Sequence, residues 1–139
     1  MSMSQASGLF YGAFLNEDAY QAQKVARQLI DRGVFSDDEA LDCAVSKVHL
    51  FDTDFRGQYT APMTTEHGIT YAHLYLVNGQ PWDDYPLYFV GYPMDSNTME
   101  YEEKLHPGIK AAVDAELDRF AKESGFAIVP DVQLVTSWG

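Results

Sequence analysis

Residues 57–103 read GQYTAPMTTEHGITYAHLYLVNGQPWDDYPLYFVGYPMDSNTMEYEE. Two runs within them decide the fold: ITYAHLYLV over 69–77 and LYFVGY over 87–92. Both are rich in the β-branched and aromatic residues that suit a pleated sheet. In the first run Ile69, Tyr71, His73, Tyr75 and Val77 alternate with Thr70, Ala72, Leu74 and Leu76. Both faces are mostly apolar, which is the pattern expected of one strand at the centre of a sheet. Asn78-Gly79 is a hairpin signal. Pro81 and Pro86 obstruct an immediate return, so the partner strand is expected to begin at Leu87. Residues 78–86 then form an acidic loop carrying Trp82. The Thr-rich stretch 57–68, with Gly57 and Pro62, reads as a loop, and 95–103 as a polar loop or helical turn.

Toward the N-terminus, residues 8–15 form an aromatic-rich strand with Phe10, Tyr11 and Phe14. Asn16 stands where a helix N-cap is favoured, with Glu17 and Asp18 in the first turn. Ala22, Val25, Ala26, Leu29 and Ile30 follow at helical spacing, and Gly33 is a left-handed stop. Ser36-Asp37-Asp38-Glu39 reads as a capping box opening a short helix over 37–46. Residues 47–51 suggest a further strand. Toward the C-terminus, Pro107 suits a first helical turn. Ile109, Ala112, Val113, Leu117, Phe120 and Ala121 share one face of a helix ended by Gly125. Lys110/Asp114, Asp118/Lys122 and Arg119/Glu123 are spaced i,i+4 on its other faces. Residues 126–129 and 132–136 close the chain as one bent strand or two short ones.

This order predicts an α+β fold: a single sheet of about four to five mostly antiparallel strands with two longer helices, βαββαβ-like, plus one short helix. With 139 residues, one domain over 8–139 is expected, behind a disordered tail over 1–7.

The charge is segregated along the chain. Residues 57–103 contain seven carboxylates (Glu66, Asp83, Asp84, Asp95, Glu100, Glu102, Glu103), seven of the nine tyrosines and no Lys or Arg. The whole chain carries a net charge of −12. Such a field repels nucleic acid and anionic membrane and attracts basic proteins and cations. No run reaches the ~18 apolar residues that span a bilayer. Neither a signal peptide nor a phosphate-binding glycine loop is recognisable, and the cytoplasm is the expected compartment. The single cysteine, Cys43, excludes an internal disulfide and a Cys-based zinc site, and its apolar neighbours suggest a buried small residue. No cofactor is expected.

The partner-binding candidates are Trp82, Asp83, Asp84, Tyr85, Tyr101, Glu102 and Glu103. Tyr and Trp give large contact area at low entropic cost, and adjacent carboxylates accept bidentate bonds from a partner's arginines. The expected activity is non-enzymatic. The chain would be an acidic, inhibitor-like or nucleic-acid-mimicking domain docked on a basic partner, such as a nuclease or another nucleic-acid-binding protein. A tyrosine-rich strand edge leaves a homodimer open as well.

An enzymatic alternative rests on Val48-His49-Leu50-Phe51-Asp52-Thr53-Asp54. Two carboxylates two residues apart after a strand can hold Mg²⁺, or divide nucleophilic and acid/base work. These seven residues resemble the first motif of the haloacid-dehalogenase phosphatases, an apolar strand followed by Asp-x-Asp. The resemblance makes Asp52 the nucleophile and Asp54 the acid/base of a metal-dependent hydrolase or phosphoryl-transfer enzyme. Arg56 departs from the Thr or Val usual in that family. Asp52, Asp54 and Gly57 also match a calcium loop, but Arg56 and Met63 occupy its fifth and twelfth places. The histidines, His49, His67, His73 and His106, show no zinc-protease spacing. A third reading is a small-molecule site over Tyr71, His73 and Tyr75, between helix and sheet.

Overall fold

The computed structural model describes residues 5–45, 59–65, 68–78, 87–94, 99–100 and 104–138. Its centre is a four-stranded antiparallel sheet. The strands are β1 (Gln5–Phe14), β4 (Tyr75–Asn78), β5 (Tyr88–Pro93) and β8 (Asp131–Trp138), in the spatial order β4-β5-β1-β8. β2 (Thr60–Thr65) and β3 (Gly68–His73) form a separate two-stranded ribbon, and β6 (Met99–Glu100) pairs with β7 (Lys104–Leu105). The helices are α1 (Ala22–Asp31), α2 (Asp38–Val45) and α3 (Pro107–Ser124). With α1 between β1 and β4, and α3 between β5 and β8, the four sheet strands follow the split βαβ arrangement. The α+β class and the βαββαβ layout are as the sequence predicts.

The helix ends follow their local chemistry, with two departures. Gly33 (φ 78°) follows α1, with its N–H bonded to Ile30 O and that of Val34 to Leu29 O. This is a Schellman turn, and Val34 is buried in the core beside Leu29. Pro107 opens α3, and Gly125 (φ 79°) closes it. At the start of the short helix, however, Asp37 does the capping, its Oδ1 accepting the Ala40 N–H at 2.8 Å.

Asn16 is no helix cap. A 3-10 turn over Ala19–Gln21 precedes α1 instead. Asn16 is 2% exposed; its Oδ1 accepts the Tyr88 N–H at 2.9 Å and its Nδ2 donates to Asp18 O at 3.0 Å. The side chain therefore ties the end of β1 to the start of β5. Asn16→Ala should cost ~1–3 kcal/mol in urea unfolding, because it leaves the buried Tyr88 N–H without that acceptor.

The run 69–77 is not one central strand. It breaks at Leu74, whose N–H bonds Tyr59 O at 2.9 Å. Its first part, β3, pairs with β2, so the Thr-rich segment expected as a loop is a strand that accommodates the exposed Pro62. Its second part, β4, is an edge of the main sheet and pairs with β5 from Tyr75↔Gly91 to Asn78↔Tyr88. The late return after Asn78 is as expected. The expected strand over 47–51 lies outside the described residues.

Two apolar clusters sit on opposite faces of the main sheet. On the helical face Tyr11, Val90 and Leu76 meet Val25 and Leu29 of α1 and Val113, Leu117 and Phe120 of α3. The β2–β3 ribbon packs on α3 as well. On the other face Phe10, Tyr75, Val77, Phe89 and Val135 form a second buried cluster with Phe14 beside it. No helix among the described residues contributes to it. The curvature of the sheet contributes to its burial. A flat four-stranded sheet would hold its edge strands ~14 Å apart, three spacings of ~4.8 Å. Here β4 and β8 come within 8 Å of each other, Cα to Cα. The sheet curls over this face, around Phe10 and Phe89, which pack edge to face with centroids 5.6 Å apart.

Candidate functional site

The seven partner-binding candidates, Trp82, Asp83, Asp84, Tyr85, Tyr101, Glu102 and Glu103, lie outside the described residues, and so do Asp52 and Asp54. Of the third reading, Tyr71 is 55% exposed on β3, whereas Tyr75 is 8% exposed within the second cluster of the main sheet. The break at Leu74 puts the two in different sheets, so Tyr71, His73 and Tyr75 do not share a binding face. His73 Nδ1 lies 2.9 Å from Thr60 Oγ1 across the ribbon. Among the described residues no three His, Cys, Asp or Glu side chains cluster in a way that could hold a metal ion. No helix among them is long and apolar enough to cross a membrane.

The polar groups on α3 serve its packing. Tyr11 OH donates to Asp114 Oδ1 at 2.6 Å, and Lys110 Nζ lies 2.9 Å from Asp114 Oδ2. Burial, then the bond to Asp114, raises the Tyr11 pKa; the same carboxylate raises that of Lys110. Arg119 pairs with Glu116, 2.7 Å away and one turn back. Its guanidinium also lies 4.7 Å from the centroid of the Tyr59 ring. Burial, with Glu123 next to it, pushes the Tyr59 phenol up to about 12. Tyr59 therefore stays neutral and donates to Glu123. Beside this pair Arg32, Gly33 and Val34 complete a shallow cavity of about 350 Å³.

A larger groove, about 510 Å³, opens at one end of the curled sheet. The end of β1 contributes Ala13 and Phe14, and the following turn contributes Glu17; Leu87 precedes β5, Val129 leads into β8 and Gln133 lies on it. Asn16 forms part of its wall and is held there by its bonds to Asp18 and Tyr88. Five apolar side chains, one carboxylate and two amides line it, with no cation among the described residues. Val129 is 84% exposed. The sequence reading missed this groove because its walls come from three separated segments. The local signals at Phe14, Asn16 and Glu17 point to a strand and a helix start, not to a groove.

Comparison of the chain with protein-family models, with curated proteins and with solved structures gives no match.

Proposed function

We propose that the protein is a non-enzymatic acidic domain that docks on a basic partner protein, with nucleic-acid-handling proteins the class whose binding grooves suit it best. One observation carries the reading: a net charge of −12, with no Lys or Arg in forty-seven consecutive residues, 57–103. A field of that sign gathers cationic surfaces and turns away polyanions. The arrangement of α3 supports the reading. Lys110 and Arg119 are held by acids of their own helix, Asp114 and Glu116, and so are engaged locally. In this reading Trp82, Tyr85 and Tyr101 supply the contact area, and Asp83, Asp84, Glu102 and Glu103 the acceptors for arginine and lysine.

The test is retention of proteins from the native cell on the immobilised chain, followed by a salt series. Basic proteins should be retained at low salt. Their affinity should fall roughly tenfold or more between about 0.05 and 0.5 M salt, as charge steering is screened. Retention of acidic or neutral proteins only, or binding indifferent to salt, would sink the proposal.

A further inference from the structure

The groove at the end of the curled sheet has the composition of a receptor for one kind of side chain. Phe14, Leu87 and Val129 give it an apolar wall, and Glu17 and Gln133 give it acceptors. Glu17 is exposed, and no cation of the chain lies within ion-pairing distance of its carboxylate among the described residues. Its backbone N–H bonds the Gln21 side chain at 3.1 Å, which anchors the turn that carries it. The volume falls in the ~300–1,000 Å³ range of specific small-ligand sites. An occupant complementary to this lining has an aliphatic or planar body and a positive head.

We propose that the groove receives an arginine side chain of the basic partner. The stem lies along Phe14, Leu87 and Val129, and the guanidinium faces Glu17. Charge complementarity selects a cation here, because a chain of net charge −12 presents a groove lined by a carboxylate and no base. The guanidinium fits better than an ammonium. It is weakly hydrated, stacks on an aromatic face such as that of Phe14, and pairs with a carboxylate through two parallel bonds. This assignment rests on the docking function proposed above and adds an anchor point among the described residues to the candidates at 82–85 and 101–103.

The test is an amide-resolved NMR titration of the full chain with N-acetyl-arginine methylamide, and with the neutral isostere N-acetyl-citrulline methylamide. The arginine probe should shift the amides of Phe14, Glu17, Leu87, Val129 and Gln133, and the citrulline probe should bind about fivefold more weakly, the order of one exposed ion pair. Glu17→Gln should bring the arginine probe down to the citrulline level. Asp131→Asn removes an exposed acid outside the groove lining and should change nothing. Equal binding of both probes, shifts centred elsewhere, or indifference to Glu17→Gln would overturn the assignment. If basic proteins are retained in a salt-sensitive way and Glu17→Gln leaves that retention unchanged, the groove has no part in docking and the docking function stands without it. If the arginine probe binds as stated but no basic protein is retained, the assignment to a partner is overturned and the occupant is a free small cation.

Discussion

Replacing Gly12 by valine should cost about 3 kcal/mol or more, a large share of the ~5–15 kcal/mol that holds a domain of this size together. Gly12 and Gly91 face each other across the β1–β5 pair. A Cβ on Gly12 would lie 2.1 Å from Val90 O and 2.6 Å from the Gly91 Cα. A Cβ on Gly91 would lie 2.5 Å from Tyr11 O. Backbone atoms cannot rotate aside as a side chain does, so relief requires the strands to separate and the sheet to flatten. Flattening would open the cluster around Phe10 and Phe89 to water, which is the larger part of the penalty. Gly8 lies on the same strand, and a Cβ there would meet nothing within 4 Å. Gly8→Ala should therefore change stability by less than about 0.5 kcal/mol. Urea unfolding of the two variants measures the difference. Equal midpoints would mean that the Gly12–Gly91 contact does not hold the curl.

Phe120→Ala should cost ~3–5 kcal/mol, in the upper range for large-to-small core changes. Phe120 is fully buried on α3. Its ring meets Tyr59 edge to face at 5.4 Å and lies nearly parallel to Phe126 at 6.5 Å. It therefore joins the start of the β2–β3 ribbon to α3 and to the segment that follows Gly125. The ring's removal leaves a cavity between elements distant in sequence, which cannot all close on it. Phe120→Leu should recover much of the loss by refilling that space. Comparing the two unfolding midpoints tests this directly. A loss near 1 kcal/mol for the alanine variant would show that the ribbon packs without it.

Much of the helical scaffold was legible in the chain because its signals are local. Pro107 and Gly125 bracket α3, and Gly33 ends α1, because each meets a backbone requirement set by its immediate neighbours. The periodicity that buries Val25 and Leu29, or Val113, Leu117 and Phe120, is likewise read within a few turns. The candidate groove was not legible. It gathers Phe14, Leu87, Val129 and Gln133 from separated segments, which become neighbours because β5 and β8 flank β1 on either side.

The same distinction explains the errors. Asn16 followed by Glu17 and Asp18 has the composition of an N-cap, but burial against Tyr88 gives its amide a better set of partners than a helix end offers. Residues 69–77 alternate like a central strand, but only the β4 part is buried on both faces; Ile69 and Tyr71 of β3 are exposed. In fact two sheets share the run, and Tyr75 and Val77 of β4 pack against Phe10, Phe89 and Val135 of the same main sheet. Residue order thus determined the class of fold, the helix limits and the segregation of charge, all properties of neighbours in the chain. Tertiary structure alone decided where the run at 69–77 breaks, that Gly12 and Gly91 meet at close quarters across β1 and β5, and that Glu17 lines one groove with Phe14, Leu87 and Val129. Each of these depends on contacts between residues far apart in sequence, and no local pattern records which distant backbone will come close.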